Sequence, residues 1–125
     1  MKLVLGTANL SKLYSLRQKR IINKKYVIKQ IYLSIRKGIN FFDTAPSYGN
    51  SEKYLGEVNK KIKIITKISI IKKDKIKESM NDSVNLSLKN LNRKYLDYLI
   101  IHDIEFFKKN NPKKIYKHLT NLKKK

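Results

Sequence analysis

The stretch Gly38-Ile39-Asn40-Phe41-Phe42-Asp43-Thr44-Ala45-Pro46-Ser47-Tyr48-Gly49-Asn50-Ser51-Glu52-Lys53-Tyr54-Leu55-Gly56 decides the fold. It reads as a strand, a polar loop and a helix start. Ile39 to Phe42 is a short apolar run that stops abruptly at an acid, Asp43. Pro46 cannot continue a central strand, because it has no N–H for the ladder. Gly49-Asn50 is a turn pair. Asn50 or Ser51 then caps a short helix over Ser51 to Asn59 that buries Tyr54, Leu55 and Val58.

Working outward, Lys2 to Leu5 reads as a buried strand ending in the turn Gly6-Thr7-Ala8. Asn9 to Lys25 is polar, basic and without a clean period, a long loop with a short helical turn around Tyr14 to Arg17. Val27, Ile28, Ile31, Tyr32 and Ile35 share one face of a helix over Tyr26 to Lys37, and Gly38 stops it. Ile62 to Thr66 is a third strand, rich in β-branched residues and ended by Lys67. Asp74 caps a third helix that reaches Leu91 through Ile76, Met80, Val84 and Leu88. Leu96 to Ile101 is a fourth strand, ended by His102. Asn111-Pro112 opens a last helix lined by Ile115, Leu119 and Leu122. Strictly alternating strands and helices make an α/β fold with parallel strands and right-handed crossovers. Mostly apolar strands predict a sheet covered on both faces.

The 125 residues suffice for one domain, and the 41% hydrophobic fraction is that of a globular protein. No cysteine is present, so disulfides and thiolate metal sites are excluded, and no metal-ligand set is read elsewhere. No apolar run approaches the roughly 18 residues of a membrane span. The start lacks the apolar length of a signal peptide, so a cytoplasmic location is expected and no membrane partner. The net charge of +21 raises a polyanion partner. Lysine outnumbers arginine and is spread over every segment instead of forming a stripe, so the charge reads as a solvated surface and nucleic acid is not the expected partner.

In parallel α/β folds the carboxyl ends of the strands lie on one face, where ligands bind. That brings Asp43, Lys67 and His102 to one mouth, with Tyr48 leaning over it from the loop after the second strand. Taken singly, each has an ordinary structural explanation: a turn acid, a surface lysine, a packed aromatic, a satisfied histidine. Together they form a proton-donating set. A tyrosine titrates near pH ~10. A nearby ammonium stabilises its phenolate, a carboxylate holds that ammonium in place, and a histidine orients a substrate oxygen. Such a set protonates a carbonyl oxygen as a nucleophile or hydride arrives. His118, on the last helix, has no partner pattern and reads as surface.

These residues resemble the aldo-keto reductase family. Asp43-Thr44-Ala45, Tyr48-Gly49 and Gly56-Glu57 match its signature. Ile64-Ile65-Thr66-Lys67 resembles its third strand, Tyr95 to His102 its fourth, and Leu3 to Ala8 its opening strand. The start and the His102-Asp103 pair look closer to the bacterial members than to the mammalian ones. The resemblance implies NADPH- or NADH-dependent reduction of an aldehyde or ketone. Tyr48 would be the general acid, Lys67 and Asp43 would tune it, and His102 would orient the carbonyl. Gly6, Thr7 and Asp43 would lie near the nicotinamide. It also implies a (β/α)8 barrel, which takes roughly 250 residues.

Residues 1–125 would then be the N-terminal (βα)4 half of that barrel, truncated before the units that carry most cofactor contacts. No Gly-x-Gly-x-x-Gly fingerprint replaces them, and Tyr14-Ser15-Leu16 departs from the Tyr-Gly pair expected after the first strand. Three readings follow: a half reductase completed by a C-terminal half or by self-association through its open sheet edges, an inactive remnant, or a basic binding module for anionic partners.

Overall fold

The structure is a computed structural model, and it describes residues 2–11, 22–58, 61–69 and 75–123. The helical turn expected at Tyr14 to Arg17, the Tyr14-Ser15-Leu16 departure and the Asp74 cap lie outside them; the second helix, expected to reach Asn59, ends at Gly56. Four strands form one sheet in the order β1 (Val4–Gly6), β2 (Phe41–Asp43), β3 (Lys63–Ile68) and β4 (Tyr98–Ile101), and every neighbouring pair is parallel. The helices α1 (Lys24–Arg36), α2 (Ser51–Gly56) and α3 (Ile76–Leu91) make the crossovers. A six-residue α4 (Ile104–Lys109) and then α5 (Pro112–Lys123) follow β4. The alternation thus holds, with α4 added. Asp103 Oδ1 caps α4 by accepting from Phe106 N–H at 3.0 Å, a local signal the reading passed over.

Local chemistry sets the ends. Asn23 caps α1, its Oδ1 accepting from Lys25 N–H at 2.8 Å, so α1 begins inside the expected loop. Gly38 ends it in the left-handed region at φ 86°, where its N–H donates to Ile35 O. Asn111 Oδ1 accepts from Lys114 N–H at 3.2 Å, the expected cap of α5. Lys67 does not follow its strand but lies within it, because β3 runs on to Ile68. His118 is half-buried, and its Nε2 lies 3.2 Å from Asn81 Oδ1, so it is not a plain surface residue.

Register decides which side chains share a face. Phe42 pairs with Ile64 on the helix-covered side, where Val27, Ile31, Leu55 and Leu91 complete the core. Each such fully buried side chain contributes about 1.5–3 kcal/mol. A second cluster joins Ile68 and Met80 to Phe106 and Ile115. On α3 the buried stripe also holds Ser79, Ser83 and Ser87, small enough to bring the helix backbone close to its neighbours. The opposite face of the sheet carries Val4, Phe41, Ile65, Tyr98 and Ile100, and no described element covers it. Val4 and Tyr98 are about half exposed, at 48% and 49%. The sheet is therefore covered on one side only, and β1 is an exposed edge instead of a buried strand. In a closed barrel this face would pack against the opposite strands; four strands do not close.

At the amino ends of the strands, Asp97 ties three segments together. It accepts from Lys63 Nζ at 2.8 Å, Ile64 N–H at 3.0 Å and Arg93 Nη1 at 2.7 Å, while Arg93 Nη2 donates to Ile62 O. Burial alone would push this carboxyl up. The hydrogen bonds from Lys63 and Ile64 N–H, with the charges of Lys63 and Arg93, outweigh burial and hold it below the usual carboxylate range. A depressed folded-state value contributes stability that is complete above the unfolded pKa of about 3.9 and is lost as pH falls through the folded value. Asp97→Asn should cost about 1.5–3 kcal/mol at neutral pH in urea unfolding. The difference from wild type should shrink below about pH 4. A pH-independent difference would show that the charge is not what matters.

Candidate active site

The mouth at the carboxyl ends of the strands is assembled from β2, β3 and the loops after β1, β2 and β4. Lys67 Nζ lies 2.7 Å from both Asp43 carboxylate oxygens and 3.0 Å from Thr44 O. The Asp43 side chain remains 31% exposed and that of Lys67 only 11%, so the acid faces the open side and the lysine sits beneath it. The desolvation cost of burying the ammonium is offset by its contacts with both Asp43 oxygens and Thr44 O. The ammonium is also 4.8 Å from the centre of the Tyr48 ring, a cation–π contact. His102 is exposed, and its ring meets that of Tyr48 edge-on, with centroids 5.9 Å apart at 90°. Its N–H donates to Ile68 O, which fixes the residue beside the end of β3. The four residues expected at one mouth are at one mouth.

Gly6 pairs with Asp43 in the sheet, and Thr7 donates both its N–H and its hydroxyl to Asp43 O at 2.9 Å. Thr7 is fully buried, so its hydroxyl positions the Asp43 backbone. The space that a Cβ on Gly6 would enter is open, with nothing within 4 Å. That open space borders Asp43, the partner of Gly6 across the sheet. Among the described residues no glycine-rich turn offers a cradle for the phosphates of a dinucleotide.

Two serines that the sequence reading did not assign to the site hold the Tyr48 loop. Ser11 Oγ donates to Tyr48 O at 2.8 Å and accepts from Asn50 N–H at 2.6 Å. Ser51 Oγ donates to Thr7 O at 2.8 Å. Ser51, read as a cap, instead ties α2 to the loop after β1. Only the spatial closeness of these two loops, far apart in the chain, reveals the pair.

The sequence model of the Aldo/keto reductase family matches residues 2–125. The chain belongs to this family. An L-galactose dehydrogenase of Arabidopsis thaliana is 40% identical over 84 residues, covering 58% of this chain and 26% of that protein. An aldo-keto reductase structure from Pseudomonas aeruginosa superposes with a TM-score of 0.74 at 22% identity, covering 97% of this chain and 50% of that one. A Bombyx mori aldo-keto reductase solved in complex with NADP gives a TM-score of 0.61 at 21% identity, covering 79% of this chain and 33% of that one. At such identities the structures speak for the fold: four parallel strands with their helices, half of an aldo-keto reductase barrel. The chain spans half or less of the length of the relatives it matches. Among the described residues no helix is long and apolar enough to cross a membrane.

Proposed function

We propose that this chain carries the proton-donating half of an NAD(P)H-dependent carbonyl reductase site, acting on an aldehyde or ketone. The observation that carries the reading is Lys67, held by both oxygens of Asp43 with its charge over the ring of Tyr48. The bound cofactor supplies the hydride that reaches the carbonyl carbon. As charge grows on the carbonyl oxygen, the Tyr48 hydroxyl gives it a proton. The phenolate left behind is stabilised by the Lys67 ammonium, and Asp43 keeps that ammonium aimed inward. His102, exposed at the edge of the Tyr48 ring, hydrogen-bonds the carbonyl oxygen and sets its direction. Gly6 and Asp43 form the floor for the nicotinamide, with the buried Thr7 holding the Asp43 backbone behind it, while the phosphate end requires contacts from a further barrel unit. The Arabidopsis relative's name favours a sugar carbonyl as the substrate class.

The test assays the purified chain, alone and co-expressed with the last four βα units of a family member, for NADPH oxidation against a panel of sugars, aldehydes and ketones. Carbonyl-dependent turnover in either sample supports the reading. Cofactor binding without turnover in the complemented sample overturns it. No turnover in either sample favours the inactive remnant.

A further inference from the structure

The chain also has a concave site away from the mouth. Between the start of α3 and the first turns of α5 lies a cavity of about 560 Å³, a size that holds small organic ligands. No strand and no residue of the mouth lines it, and it borders the amino-terminal half of α5, away from residue 123. Its floor is apolar. Ile76 is partly buried there, and Met80 and Ile115 close the bottom, 0% and 2% exposed. Its rim is cationic. Lys75, Lys77 and Lys114 stand there against one acid, Glu78, which lies 3.5 Å from Lys75 Nζ. Among the described residues Lys77 and Lys114 form no ion pair. His118 borders the same space, with its Nε2 beside Asn81 Oδ1.

Exposed lysines alone are solvated charges, and a bare anion gains little from them. Here the charges ring an apolar floor. A ligand with an apolar body and an anionic head uses both features. The body covers Ile76 and takes water off the lysine stems. The head then meets Lys77 and Lys114 where part of the water has been excluded, and charge-assisted hydrogen bonds are the stronger kind. We propose that this cavity binds a small amphipathic organic anion. The inference rests on the cavity and not on the proposed reaction.

The composition supplies clean reporters. Met80 is the one methionine besides Met1, and His118 the one histidine besides His102, which stands at the mouth. The full chain, labelled at methionine methyls and histidine rings, is titrated at neutral pH with 1-naphthaleneacetate and followed by NMR. The Met80 and His118 signals should shift saturably, with a Kd of about 1 mM or below. The uncharged 1-naphthaleneacetamide has the same body and should bind about 10-fold more weakly. Raised salt should weaken the acid and leave the amide unchanged. Lys77→Glu with Lys114→Glu, both at exposed positions, should weaken the acid by about 10-fold or more with an unchanged circular dichroism spectrum. Met80 and His118 signals that do not move overturn the proposal. So do equal binding of acid and amide, undiminished binding by the double variant, or a shift at His102 alone.

Discussion

Tyr48→Phe is expected to lower carbonyl reduction by about 10³-fold, roughly 4 kcal/mol of transition-state stabilisation, while leaving the fold in place. The variant removes one oxygen. The ring keeps its contacts with the Lys67 ammonium at 4.8 Å and with His102 at 5.9 Å. The loop keeps its anchors, because Ser11 binds the Tyr48 carbonyl and not its side chain. Turnover should fall through kcat, since the proton is transferred only in the transition state. Cofactor affinity, read by NADPH fluorescence, should stay within a few-fold of wild type. Lys67→Met should lose comparable activity, because it removes the charge that stabilises the phenolate. It should also cost stability, because the Asp43 carboxylate loses its partner. Undiminished turnover in Tyr48→Phe would remove tyrosine from the proton-donating role.

Gly56→Ala should destabilise the chain by about 2–3 kcal/mol, a large share of the marginal stability of a domain this size. A Cβ at this position would sit 2.5 Å from Asn90 O and 2.8 Å from Leu91 C. Both are backbone atoms at the end of α3, so no side chain can swing away. The last turns of α2 and α3 must separate, and Leu55 and Leu91, both in the main core, lose their contact with the neighbouring layer. Glu52 adds to the cost. It is buried, accepting from Thr66 Oγ1 at 2.8 Å and Asn90 Nδ2 at 3.0 Å, so moving α3 also strains the polar clamp between the helices. Urea unfolding measures the loss directly; a change within about 0.5 kcal/mol would show that the helices yield. The Gly-Glu element that marks the family in sequence is thus a packing position here, not part of the mouth.

The alternation of apolar runs with helical periods was enough to specify four parallel strands, since parallel neighbours need crossovers and these are the crossovers available. Strand-end position was enough to bring Asp43, Lys67 and His102 to one side, because parallel strands share a carboxyl end. Gly38 and Asn111-Pro112 were legible because helix ends are set by the residues themselves. What the sequence could not show were contacts that depend on two distant segments meeting. The reach of Lys67 to both Asp43 oxygens, the serines beneath Tyr48, the Asp97 junction and the crowding at Gly56 each join residues from separate elements. No period or spacing records them. The uncovered face is the same case. Apolar alternation says that a side chain needs burial, but only closure of the sheet decides what buries it, and four strands do not close.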